Sequence, residues 1–126
     1  METDLERQLE IAIYVRDCPN EQLIAWIESA IGPLGQPEHA GEAVVYPSRR
    51  GPVILTPGIE GDPFVSIWFN TSRSPWATDL DCGRQAAREL GCTVRCSPGG
   101  NFPEVYPASP VFLEIECGAE RLVIWE

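Results

Sequence analysis

The stretch LEIAIYVRDCPNEQLIAWIESAIG, residues 9–32, decides the fold of this chain. Its first part alternates apolar and polar residues, and a period of two predicts a β-strand with one better buried face. The apolar residues on that face are Leu9, Ile11, Ile13 and Val15. Its second part begins near Pro19, repeats apolar residues at helical spacing and stops at Gly32. The stretch therefore predicts a strand followed by an amphipathic helix that packs on the sheet.

Outward from this stretch, the rest of the chain repeats a similar order of elements. The predicted elements are a loop at 33–42, short strands at 43–47 and 52–58, a strand at 61–70, a helix from Thr78 to Gly91, a strand at 92–96 and a hairpin at 111–126. Thr78 starts the second helix as a cap and Gly91 ends it. GPVIL at 51–55 and SPVFL at 109–113 occupy matching places in the two halves.

These elements predict an α+β fold in a single domain, residues 1–126. We expect a mostly antiparallel, twisted sheet of about six to seven strands, with two helices on one face. The repeated order suggests a pseudo-duplicated strand-helix-strand-strand unit. The alternative is that chains of this class and size share such orders by chance.

Charge is the strongest feature of the composition. The chain has 19 acidic residues, nine basic residues that are all arginine, and a formal net charge of −10. Nucleic-acid binding normally requires a basic stripe, and none is visible here. An acidic excess suits solubility or the steered capture of a basic protein partner. The hydrophobic fraction of 44% and the charged fraction of 22% are those of a folded globular protein.

The sequence gives no sign of membrane insertion or of a disulfide framework. No apolar run has the length of a spanning helix, and the segment METDLERQLE, residues 1–10, is acidic where a signal peptide would be basic and then apolar. We therefore expect a cytoplasmic protein that does not bind membranes. The five cysteines are an odd number without a paired C-x-x-C motif, and this pattern favours reduced, mostly buried thiols.

Residues that could support catalysis are few. His39 is the single histidine, so a histidine-based metal cluster is excluded. Asp79 and Asp81 could act as acid and base, but the start of a helix is also where capping carboxylates are expected. Glu114 and Glu116 point the same way from one strand and fit an acidic, exposed surface. A hydrolase that uses aspartate or cysteine would require a cleft that brings His39 near Cys92 or Asp79. Because no catalytic motif is present, we expect no enzyme activity, no cofactor and no metal.

Two loops have the composition of a protein interface. The segment 70–81 places Trp76 beside two carboxylates, and the segment GGNFPEVYPASP, residues 99–110, presents aromatics around one glutamate. Aromatic anchors flanked by charges are typical of binding hot spots. The predicted partner-binding residues are Trp76, Asp79, Asp81, Phe102, Glu104 and Tyr106. The alternative is that these aromatics cover a helix start and a sheet edge.

Over the whole chain, the sequence resembles the small bacterial immunity proteins that neutralise antibacterial toxins. The segments that carry the resemblance are IAIYVRD, EQLIAWIESAIG, SIWFNTSRSPWATD, CGRQAARELG and VFLEIECGAERLVIWE. The resemblance implies a non-catalytic protein that occludes a cognate toxin domain, a partner with a basic surface. It transfers no binding residues.

The repeated units also resemble the gyrase-inhibitor-like group of small-ligand-binding domains. This resemblance implies a cleft that holds an apolar or cationic molecule. Its candidate pocket residues are Trp68, Trp125 and Glu114, with Glu114 as the counter-charge.

Overall fold

The computed structural model describes residues 10–58, 62–98 and 110–125. These residues form two helices and eight strands. The helices are α1 (Asn20–Ile31) and α2 (Asp79–Leu90). The strands are β1 (Ile11–Arg16), β2 (Glu38–Ala40), β3 (Ala43–Tyr46), β4 (Val53–Pro57), β5 (Phe64–Phe69), β6 (Val94–Cys96), β7 (Val111–Glu116) and β8 (Ala119–Ile124).

All eight strands form one sheet in the order β2-β3-β4-β5-β1-β6-β7-β8, and every neighbouring pair is antiparallel. The predicted α+β class is confirmed, with slightly more strands than expected. The additional strand is β2, which lies in the segment 33–42 that the sequence predicts as a loop. All three β2 residues are exposed, so no alternation of apolar residues marks this strand. Gly41, at φ +65, closes its turn to β3.

The strand β1, which forms the first part of the stretch 9–32, lies at the centre of the sheet. β1 lies between β5 and β6, where Ile13 faces Ile67 and Val15 faces Val94 across the strands. All four of these side chains are fully buried. The alternation in the β1 sequence therefore corresponds to one fully buried face and one less buried face of the strand.

Both helices bury their apolar side chains in the same core. α1 contributes Leu23, Trp26, Ile27 and Ile31, and α2 contributes Leu80, Cys82, Ala86 and Leu90. Thr78 caps α2, because its hydroxyl accepts a hydrogen bond from the Asp81 amide. Gly91 ends the helix in the left-handed conformation, as predicted. Neither helix of the described residues is long and apolar enough to cross a membrane.

The element order is repeated in the two halves, but the sheet order is not. Each half contains a strand, a helix and three further strands. In the first half these three strands run from the sheet edge towards the centre, and in the second half they run from the centre outwards. The two similar segments GPVIL and SPVFL therefore occupy different positions in the sheet. GPVIL contributes to β4, which is beside β5, whereas the described part of SPVFL contributes to β7, one strand further from the centre.

Candidate functional site

Trp76, predicted as an exposed interface anchor, is buried instead. Its side chain is 3% exposed and stacks on Trp26, with ring centroids 5.7 Å apart, while Phe69 packs against it at 4.9 Å. Its indole Nε1–H donates a hydrogen bond to Gln85 Oε1 at 2.9 Å. Because the ring has both apolar neighbours and a hydrogen-bond acceptor, it is more stable in the core than in solvent. In this conformation Trp76 offers no surface to a partner.

The two aspartates at the start of α2 have different surroundings. Asp79 is half-buried, and its Oδ1 accepts a hydrogen bond from the Ala12 amide at 2.9 Å, which ties the helix start to β1. Asp81 is exposed, and its backbone amide completes the cap on Thr78. Asp79 therefore has a structural role, whereas the Asp81 carboxylate is accessible to a partner.

The other three predicted partner-binding residues are Phe102, Glu104 and Tyr106. They belong to the segment 99–109, which lies outside the described residues. Their contact with a partner stays a prediction.

The sequence predicts that Glu114 belongs to an exposed acidic surface. In the structure Glu114 is instead buried, with 3% of the residue exposed. The pairing of β6, β7 and β8 places Arg95 and Arg121 opposite it. Arg95 Nε donates to its Oε1 at 2.8 Å, and Arg121 Nη2 donates to its Oε2 at 2.7 Å. Burial alone would raise the pKa of Glu114, but these hydrogen bonds and the positive charges of the two arginines together outweigh burial and lower the pKa. Its charge is therefore already balanced, and it does not suit the role of counter-charge for a ligand.

Aromatic side chains surround this ion-pair network on the sheet face away from the helices. Trp125 contacts Tyr14, Phe64 and Phe112, with ring centroids 4.9–5.2 Å apart. The Arg95 guanidinium lies 4.6 Å above the Phe64 ring and 4.9 Å above the Trp125 ring. A cavity of about 210 Å³ adjoins the cluster, lined by Tyr14, Thr56, Asp62, Phe64, Ser66 and Trp125 among others. Trp68, the remaining predicted pocket residue, is 36% exposed and does not line it.

A second concave surface lies on the helix side of the sheet, where β2, β3 and β4 extend beside the start of α1. We call this cavity of about 480 Å³ the acidic groove. Its apolar lining is Val44, Tyr46, Leu55 and Val65, and its polar lining includes Asn20, His39 and Glu42. The alternation along β3, β4 and β5 turns these apolar residues to one face.

The charge around the acidic groove has one sign. Glu42 lines it and Glu21 follows Asn20 in the first turn of α1, whereas the pairing of Glu38 with Val45 turns the Glu38 side chain to the opposite face of the sheet. The Glu21 and Glu42 carboxylates are exposed, and no arginine lines the groove. An apolar floor with carboxylates at its edge fits a lysine or arginine side chain, whose alkyl part packs while its charge pairs at the rim.

Sequence reasoning missed the acidic groove because it treated 33–42 as a loop without a role. The available signal was the short stretch AGEA, residues 40–43, in which Gly41 and Glu42 form a tight turn before an apolar strand. That signal identifies a hairpin, but it does not show that the hairpin borders a concave surface.

The described part of the sheet keeps His39 far from Cys92. In the sheet order, β3, β4, β5 and β1 separate His39 on β2 from β6 beside Cys92, a distance of about 24 Å at the usual strand spacing. Burial, followed by a hydrogen bond with Cys92, raises the pKa of Cys18 to about 12 and keeps this thiol protonated. Among the described residues, no group of three or more histidine, cysteine, aspartate or glutamate side chains could hold a metal ion.

Comparison of the chain with protein-family models, with curated proteins and with solved structures gives no match.

Proposed function

We propose that this protein is a non-catalytic, acidic binding protein of the bacterial cytoplasm, most simply an immunity protein that binds and inhibits a cognate toxin domain with a basic surface. The acidic groove is the single observation that carries this proposal. Within one concave surface of the described chain, it combines apolar contact area, an edge strand and negative charge without a lining arginine.

The carboxylates outside the groove also support binding of a basic partner. Of the carboxylate residues that the structure describes, only Glu114 is buried and only Asp79 is half-buried, and all others are exposed. A surface of this kind accelerates encounter with a basic partner by long-range attraction. The groove would then supply the short-range contacts, with Tyr46 as its aromatic contact.

The direct test uses the purified product of the gene encoded beside this one. We expect a complex on gel filtration, and we expect co-expression of this protein to restore growth of cells that produce the toxin domain. Glu42→Arg should weaken the complex, whereas Glu116→Arg, an equal charge change on the opposite sheet face, should not. Absence of a complex at low salt, or equal effects of the two substitutions, would contradict the proposal.

The aromatic cavity favours a second candidate function, the binding of a small apolar or cationic molecule. Its lining of Tyr14, Phe64 and Trp125 offers aromatic faces, and Asp62 is the carboxylate at its edge. Its volume of about 210 Å³ is below the range of typical cofactor sites, so the ligand would have few heavy atoms.

Phenyltrimethylammonium is a suitable probe for this candidate. Thermal stabilisation of the wild type by the probe, lost in Asp62→Asn and retained in Glu42→Gln, would place the ligand in the aromatic cavity. No stabilisation at millimolar probe would remove this candidate and leave the protein-binding proposal untouched.

A further inference from the structure

Three exposed arginines lie together at one end of the sheet, in a chain that is otherwise strongly acidic. Arg49 and Arg50 lie in the turn between β3 and β4, and Arg73 lies in the segment between β5 and α2. We call these three residues the arginine turn. It lies at the end of β3 away from Glu42, so β3 connects an acidic turn with a basic one.

Hydrogen bonds fix the two segments of the arginine turn to each other. Arg50 Nη1 donates to the Arg73 carbonyl at 3.1 Å, and Arg73 Nη2 donates to the Arg49 carbonyl at 2.6 Å. The Thr71 hydroxyl donates to the Arg50 carbonyl and accepts from the Arg73 amide. Gly51, at φ +132, permits this approach, because a Cβ there would lie 2.7 Å from Thr71 Cβ. The arrangement is therefore preorganised in the folded protein.

The arginine turn also differs in its charge balance from the five other arginines that the structure describes. Arg16, Arg84, Arg88, Arg95 and Arg121 each lie within 4.0 Å of a carboxylate oxygen. Within the described parts of the chain, Arg49, Arg50 and Arg73 have no such carboxylate. Three like charges on adjoining segments repel one another, and an anionic group from outside the chain would relieve that repulsion.

A shallow groove of about 340 Å³ extends from this patch. Pro33, Leu34, Pro47 and Arg49 are among its lining residues. A ligand that binds the arginines therefore also finds apolar contact, which favours a peptide-like segment over a bare ion.

We propose that the arginine turn binds a carboxylate-bearing segment of a protein partner, with aspartate or glutamate side chains on the guanidinium groups. Each guanidinium has five N–H donors, so donors remain beyond those that join the two segments. A nucleic acid is disfavoured because the net charge of −10 repels a long polyanion. The inference rests on the proposed function only in taking the partner to be a protein, and that partner would carry a local acidic spot beside its basic surface.

The test uses a hexaglutamate peptide at low salt and follows backbone amide resonances by NMR. We expect shifts concentrated at residues 48–51 and 71–74. Arg49→Gln is the sharpest variant, because no hydrogen bond within the described chain uses its side chain, so the turn should remain folded. We expect it to weaken peptide binding about two- to fivefold. Arg88→Gln, an equal charge change on α2, should leave binding unchanged.

This test does not involve the toxin partner, so its result is independent of the proposed function. Absence of shifts at millimolar peptide, or equal weakening by Arg88→Gln, would overturn the inference. Tighter binding of a short DNA duplex than of the peptide, also lost in Arg49→Gln, would overturn it in favour of a nucleic-acid ligand.

Discussion

Glu114 has a different role in the structure from the one that its sequence neighbourhood predicts. Along β7 it alternates with apolar residues and looks like one more surface carboxylate. In the fold it is buried between Arg95 and Arg121, which come from two different strands. The pairing of β6, β7 and β8 creates this network, and local sequence cannot report which side chains a neighbouring strand contributes.

We expect Glu114→Gln to lower the free energy of unfolding by about 2–3 kcal/mol, because it leaves the mostly buried Arg95 without a counter-charge. Urea denaturation at neutral pH measures this loss. Glu116→Gln is the matched control, since it lies two residues away on the same strand face and is exposed. It should change stability by less than about 0.5 kcal/mol. Equal effects of the two substitutions would refute the role given to Glu114.

The same ion-pair network predicts a pH dependence. The pKa of Glu114 is lower in the folded protein than in the unfolded chain, so its contribution is complete above the ordinary glutamate value of about 4.3. That contribution is lost as the pH falls through the lower, folded-state pKa. The stability difference between wild type and Glu114→Gln should therefore shrink between pH 7 and about pH 3. An undiminished difference at the acidic pH would contradict this assignment.

Trp76 illustrates a different limit of residue-level reasoning. A tryptophan between charged residues has the composition of a binding anchor, yet its ring packs on Trp26 and Phe69. We expect Trp76→Phe to cost about 1 kcal/mol, because the hydrogen bond to Gln85 is lost while most of the packing remains. Thermal unfolding measures the cost. Partner affinity should be unchanged, and weakened binding without a stability change would return Trp76 to the interface.

At the scale of elements, the sequence predicts most strands and both helices, because their side chains alternate or repeat against a core. β1 and α1 are the clearest cases, with buried residues at the expected spacing. β2 was missed because all its residues are exposed and its existence depends on hydrogen bonds to β3. An edge strand of three residues has little intrinsic signal, and its partner supplies the rest.

The close packing of α2 on the sheet gives an element-scale prediction. A Cβ on Gly83 would lie 3.0 Å from Cys96 Sγ, on β6. Gly83→Ala should therefore destabilise the protein by about 1 kcal/mol, because steric overpacking exceeds the helix-propensity gain. In a Cys96→Ala background the same substitution should become stabilising by about 0.5 kcal/mol. Chemical denaturation of the four proteins measures the coupling, and strict additivity would show that the contact is absent.

For the whole molecule, composition suggests the charge of a partner but not where that partner binds. The net charge of −10 is visible in the sequence and points to a basic partner. The acidic groove and the arginine turn become visible only when β2, β3 and β4 are placed beside one another. Of the residues predicted to contact the partner, the structure leaves the Asp81 carboxylate exposed, whereas it buries Trp76 and uses Asp79 to join α2 to β1.

We propose above all that the acidic groove captures a basic protein. Its most direct test is the association rate constant between this protein and the purified product of the neighbouring gene, measured at several salt concentrations. For Glu21→Gln/Glu42→Gln we predict association that is several-fold slower than wild type at about 20 mM salt, with the difference vanishing near about 500 mM. Association at the wild-type rate at low salt, or slowing that is independent of salt, would contradict the account.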